Sequence, residues 1–278
     1  AAGEGGRATE YLVDAAERAD ARLAFDLAAS LYERAVVLSP SDDPRRPSRL
    51  MQWGRATIHA GAAVRGARLL LEAAEELPAP ERAEARVLAA VQLIAGGSPT
   101  EGLAGAAEVL AHHGFRVPAS PTALIPLAWA RARMRLWALP GIAGAVSPEP
   151  RERARLDTLW RIGSAISVLD VPAGALLVTA HNRAALRGGG PREATRALAM
   201  EAILTGALEP GRGMRQLEYA RGTALTVEDG YAVALTDFGR AVLEFNAGRL
   251  SAALSFAEAA EAGLRGSAPD SIWEIHNA

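Results

Sequence analysis

Slid against itself, the first part of the chain repeats at spacings of 38 and then 36 residues, and what recurs is the size of side chains. Ala16, Gly54 and Ala90 share one position. Twelve residues later come Ala28, Gly66 and Gly102. Tyr32, Leu70 and Ala106 follow, then Ala35, Ala73 and Val109, and the units close at Pro40, Pro78 and Gly114. A residue with little or no side chain lets two helices cross closely, and a larger residue one turn on fills the gap between neighbouring pairs. Proline or glycine then ends the second helix. A unit this short cannot bury its apolar face alone, so it must stack on its neighbours. The expected fold class is all-α, built from antiparallel helical hairpins.

The rest of the chain agrees with that class. Half of its 278 residues are apolar, enough for a long array or two domains. Alanine, leucine, glutamate and arginine dominate, and all favour helix. In the second helix Leu23, Leu27, Leu31 and Leu38 share a face with Ala24, Ala28 and Ala35. No segment alternates as a strand would. Ser39-Pro40-Ser41-Asp42-Asp43-Pro44, Pro78-Ala79-Pro80, Gly96-Gly97-Ser98-Pro99 and Gly188-Gly189-Gly190-Pro191 break the pattern at intervals, giving roughly 13 helices. Ile162 to Ala180 carries the least charge, but Asp170 and Pro172 interrupt it. A spanning helix wants about 20 uninterrupted apolar residues, so two buried helices meeting at Asp170-Val171-Pro172 are expected instead.

Composition removes whole classes of chemistry. Without cysteine there is no disulfide, zinc–thiolate site or cysteine nucleophile. Without lysine, all 30 basic residues are arginine. A Walker A loop, a kinase strand lysine and a Schiff base each need that amine. The net charge of −2 does not suggest a nucleic-acid surface. The start, Ala1 to Gly6, does not read as a signal peptide. The end, from Ser271 to Ala278, reads as the beginning of an amphipathic helix, so both ends read as cut from a longer protein.

The recurring positions resemble the tetratricopeptide consensus, whose unit is about 34 residues. The second unit matches best, through Trp53-Gly54, Gly61, Gly66, Leu70, Ala73 and Pro78. The first matches in its second helix, and Phe245 to Leu250 with Ala253, Ala257 and Ala260 is similar again. The resemblance implies a right-handed superhelix. A wider resemblance spans nearly the whole chain. Ala15 to Ala21, Ala24 to Ala35, Leu110 to Pro118 and Arg153 to Trp160 are similar to the helical-repeat arms of bacterial serine/threonine kinase–AAA (STAND-type) ATPase signalling proteins. That resemblance implies a cytoplasmic, non-catalytic sensor or protein-interaction arm, attached to kinase or ATPase domains outside this chain. The expected organisation is tetratricopeptide-like repeats over 1–118, a connecting helix and hinge over 119–150, and divergent repeats over 151–278.

Candidate site residues follow from the same alignment. The first helix of each hairpin in such repeats lines the groove, which places Glu17, Arg55 and Val91 at one groove position. His59 lies one turn beyond Arg55, and Ser48 lies before it. A protein or peptide partner is expected there. The lysine–asparagine carboxylate clamp of some family members is missing. Trp129, Arg131 and Arg135, with Arg133 and Trp137, make a second, basic-aromatic candidate for an anionic partner. No catalytic, cofactor or metal residue is expected. His112-His113 are adjacent on a helix and point about 100° apart, so they suit a helix C-terminus rather than one metal. His181-Asn182-Arg183 reads as ordinary helix surface, and Gly188-Gly189-Gly190 as a plain turn. The alternative function is a small-molecule sensor with its pocket near the Pro140 to Pro150 hinge, as in a transcription regulator. Exposed end repeats also imply self-association.

Overall fold

A computed structural model describes residues 2–117, 122–136 and 148–267. Within these residues the chain is all-helical and forms two compact units, 1–117 and 118–278. The first holds α1 (Ala2–Asp20), α2 (Phe25–Leu38), α3 (Arg46–His59), α4 (Ala63–Glu76), α5 (Ala79–Ala95) and α6 (Pro99–His112). The second holds α7 (Leu124–Leu136), α8 (Pro150–Leu169), α9 (Val171–Gly188), α10 (Pro191–Gly206), α11 (Pro210–Thr226), α12 (Gly230–Asn246) and α13 (Leu250–Ser267). Residues 137–147, most of the expected hinge, lie outside the described residues. So does the segment from Ser271 to Ala278.

Each helix except α7 packs first on a neighbour in sequence. In unit 1 the pairs are α1/α2, α3/α4 and α5/α6, joined through α2/α3 and α4/α5. In unit 2 they are α8/α9, α10/α11 and α12/α13, with α7 on α9 and α10 also on α12. The expected small residues sit at the crossings. A Cβ added to Gly66 would stand 2.6 Å from the Gly54 carbonyl oxygen, and one on Gly102 2.7 Å from the Ile94 nitrogen. Ala16 and Ala28 are fully buried at the corresponding place in the first hairpin. The device continues in unit 2, where the repeat spacing is lost. A Cβ on Gly174 would lie 2.4 Å from the Ser167 nitrogen, and one on Gly213 2.5 Å from Gly206 Cα.

The turns also recur. Leu23, Gly61, Gly97, Gly114, Glu228 and Gly248 all have positive φ at a helix end. In each case the following N–H reaches back to a carbonyl in the last helical turn: Ala24 to Ala19, Ala62 to Thr57, Ser98 to Leu93, Phe115 to Leu110, Asp229 to Ala224 and Arg249 to Glu244. This is the Schellman closure, which glycine satisfies without strain. Proline in the first two positions starts α3, α5, α6, α8, α9, α10 and α11. Asp170 serves two helices at once. It ends α8, and its carboxylate accepts the Ala173 N–H at 3.1 Å to cap α9. The expected two buried helices therefore meet there, and no helix among the described residues is long and apolar enough to cross a membrane.

One expectation about α2 needs correction. Leu23 lies in the turn before the helix, and Leu23, Leu27 and Leu38 are exposed. The buried stripe is Ala28, Tyr32, Ala35 and Val36. Packing follows the small residues of the crossing, and the leucine stripe does not decide it.

Hairpins are tied to each other by side chains. Arg49, on α3, donates to Ser39 Oγ at 2.7 Å and to Asp43 Oδ2 at 2.6 Å. Ser39 in turn donates to the Ala35 carbonyl, so the break after α2 is locked onto α3. The Arg45 N–H and the Arg49 guanidinium hold the Asp43 carboxyl below its usual range. Along the second helices Arg65 meets Glu33 at 3.0 Å and Arg68 meets Glu101 at 3.3 Å. Arg65 and Glu101 occupy one repeat position with opposite charges. These pairs are exposed and contribute under about 1 kcal/mol each, so they set register more than stability.

Two substitutions test these causes. Gly66→Ala drives a methyl into backbone and is expected to destabilise by about 1–3 kcal/mol in urea unfolding. Gly222→Ala, on an exposed turn of α11 with open space around it, should instead stabilise by up to about 1 kcal/mol. Equal effects at the two sites would contradict the crossing argument. Separately, Leu23→Gly relieves a left-handed residue that is 72% exposed. Its melting temperature should rise by about 2–4 °C, corresponding to about 1 kcal/mol; a fall would show that Leu23 contributes packing the structure does not reveal.

Candidate functional site

In unit 1 the groove residues lie along the first helices, and the structure divides them into two kinds. Glu17 and Ser48 are exposed, and their side chains make no hydrogen bond or ion pair among the described residues. Arg55 and His59 are half-buried and engaged between hairpins. Arg55 donates to Glu84 of α5 at 2.6 Å. The His59 ring lies 5.0 Å from Phe25, and its Nδ1 is 3.6 Å from the Asp20 carboxylate. Glu17 and Asp20 also act on Tyr32, whose phenol is pushed up to about 12, chiefly by burial and then by these two carboxylates. Glu17 thus belongs to an acidic edge, and Arg55 is already neutralised. Val91, the third member of the position, is half-buried on α5.

The basic-aromatic candidate on α7 falls only partly within the described residues. Trp129 is exposed on α7, but Arg131 turns inward and donates to Glu201 of α10 at 2.6 Å. Glu201 is buried and accepts further from Asn182 and Thr205, each at 3.4 Å. Arg131 is therefore the counter-charge of a buried carboxylate and is not offered to an anionic partner. The Arg135 side chain and Trp137 lie outside the described residues.

His181 and Asn182 overturn the reading as helix surface. Both are buried, at 5% and 0% exposed. Helix α9 is covered by α8, α10 and α7, so little of it faces solvent. Nδ1 of His181 lies 3.0 Å from the Leu156 carbonyl. A carbonyl only accepts, so the neutral ring carries its proton on Nδ1. Burial drives the imidazole pKa down to about 4, with the Leu156 bond opposing and Arg196 adding to the effect.

Around this ring runs a polar network that sequence reasoning missed. Trp160 packs on His181 with ring centroids 5.6 Å apart, and its Nε1–H donates to Tyr231 Oη at 3.2 Å. The Arg196 guanidinium lies 4.5 Å over the Tyr231 ring and grips Asp229 through two bonds of 2.9 and 3.1 Å. Asp229 also caps α12 by accepting the Ala232 N–H. The network opens on a charged cleft of about 510 Å³ lined by Arg153, Asp157, Arg192, Glu193, Arg196 and Val227. Asp157 is exposed by area, yet the cleft walls enclose its carboxyl and raise its pKa against the pull of Arg161 and Arg196. The triple glycine is a turn beside this cleft, where Gly189 ends α9 and Gly190 precedes α10.

Among the described residues, no group of three or more His, Asp or Glu side chains is arranged to hold a metal ion. No protein-family model matches the chain, and no curated protein does.

The buried imidazole makes stability depend on pH. An unfolded histidine takes its proton near pH 6.5, whereas the folded one resists until about pH 4. The unfolded state therefore binds the proton first, and stability held above pH 6.5 is lost as pH falls toward 4, by about 3 kcal/mol in all. His181→Asn keeps an N–H donor in the Nδ1 position without the titration. It should flatten the slope of unfolding free energy over that interval. An unchanged slope would place the acid sensitivity elsewhere.

Proposed function

We propose that this chain is a tetratricopeptide-like right-handed superhelix, acting as the non-catalytic interaction or sensor arm of a larger cytoplasmic bacterial signalling protein with a serine/threonine kinase or STAND-type ATPase domain. The observation that carries the reading is the threefold recurrence in unit 1. Crossing, turn and inter-hairpin linkage repeat, with Glu17 on α1 and Ser48, Arg55 and His59 on α3, the first helices of successive hairpins. Such a surface suits an extended or helical protein segment. The pairing of Arg55 with Glu84 supports binding through shape and a few acidic contacts rather than through a general anion patch.

A second reading, a small-molecule sensor, is favoured by the charged cleft over Arg196 and Asp157. Its location differs from the expected hinge near Pro140 to Pro150, of which residues 140–147 lie outside the described residues.

The parent protein supplies the test. Removing this arm should leave basal phosphotransfer or ATP hydrolysis intact and abolish its response to stimulus. Glu17→Arg with Ser48→Arg should reproduce that loss if the first helices take the partner. Arg192→Glu should do so if the cleft senses a ligand. A reading frame without kinase or ATPase motifs, or loss of basal activity on removing the arm, would refute the assignment.

A further inference from the structure

The charged cleft of unit 2 carries two groups that its own pairing leaves over. Of the charged side chains that line it, Arg153 lies 3.4 Å from Glu193, and Arg196 is held by Asp229 through two bonds of 2.9 and 3.1 Å. Arg192, exposed at the start of α10, makes no hydrogen bond or ion pair among the described residues, and neither does the Asp157 side chain on α8. One is a cation and the other an acid, and both face the same cleft of about 510 Å³.

Neither side chain is placed to stabilise the fold. The cleft walls desolvate the Asp157 carboxyl and raise its pKa, while Arg161 and Arg196 oppose this only through space. A neutral residue would form that wall without the cost of a desolvated acid. Arg192 stands in the first turn of α10, whose N-cap, Gly190, offers no side chain to the free N–H groups. The acid of that turn, Glu193, is taken up by Arg153. Pro191 and Val227 add an apolar wall.

We infer that the cleft binds a small zwitterion, with its ammonium group on Asp157 and its carboxylate on Arg192; free amino acids are the simplest ligands of this class. The inference rests on the reading of the cleft as a ligand site and adds the ligand's chemistry. An ammonium group gives Asp157 the charged partner that it lacks. A carboxylate matches the fork of the Arg192 guanidinium and suits the uncapped start of α10. An aliphatic side chain would lie against Pro191 and Val227. A simple anion would leave Asp157 desolvated and unpaired, and a simple cation would leave Arg192 unused, so neither fills the site.

Isothermal titration of the full chain with glycine, alanine, valine, leucine and 4-aminobutyrate supplies the test. At least one should bind saturably, and at least about tenfold more tightly than propionate or propylamine, which each carry one of the two groups. Arg192→Gln and Asp157→Asn should each weaken that binding at least about tenfold. Both side chains are exposed, so circular dichroism should show both variants folded. Without ligand, Asp157→Asn should melt no lower than the unsubstituted chain, because the amide lacks the charge that the cleft desolvates. A fall in melting temperature would assign Asp157 to the fold and overturn the inference. Preference for succinate or putrescine over every zwitterion would overturn it too, while leaving the cleft a ligand site. Binding by none of these compounds would overturn the zwitterion alone; the cleft itself stands or falls with the response of Arg192→Glu in the parent protein.

Discussion

Where two helices of a hairpin meet backbone to backbone, there is no room for a methyl group, and the rest of each hairpin is arranged around that contact. Gly54 with Gly66, Gly102 with Ile94, Gly174 with Ser167 and Gly213 with Gly206 repeat the same close approach in both units. A crossing this tight excludes water from the backbone and brings the flanking leucines within packing distance. The chain reverses within a few residues at each hairpin, through a left-handed residue in the α1/α2, α3/α4, α5/α6 and α12/α13 turns and through Asp170 between α8 and α9. Where that residue is leucine, as at Leu23 between α1 and α2, the chain tolerates local strain for the sake of the crossing.

Much of the architecture was legible because side-chain size was the signal. Ala16, Gly54 and Ala90 align by inspection, and helix class, hairpin pairing and the Asp170 junction follow from spacing and breakers. The leucines of α2 misled because periodicity records which residues share a face, not which face is covered. His181 and Asn182 misled for a related reason. They sit beside Arg183, a neighbour typical of surface, on a helix covered by three others. Arg131 looked free because its partner, Glu201, is 70 positions away, and no local pattern joins them.

The two units spend their polar residues differently. In unit 1, apart from the buried Arg49 held by Asp43 and Ser39, the charges lie outside and couple one hairpin to the next, leaving exposed side chains on the first helices and an apolar groove beside α1 and α2. In unit 2 polar groups go inside. His181, Trp160, Tyr231, Arg196 and Asp229 link α8, α9, α10 and α12, and Glu201 with Arg131 and Asn182 links α7, α9 and α10. Buried networks of this kind specify one arrangement of helices when satisfied and penalise alternatives.

Hydrogen–deuterium exchange across the intact chain tests the account most directly, because it reads every crossing at once. Amides flanking Gly66, Gly102, Gly174 and Gly213, each in the first turn of its helix, should be as slow as those at mid-helix, unlike the first turns of helices without such a crossing. Protection that simply follows helix length would contradict the crossing as the organising contact.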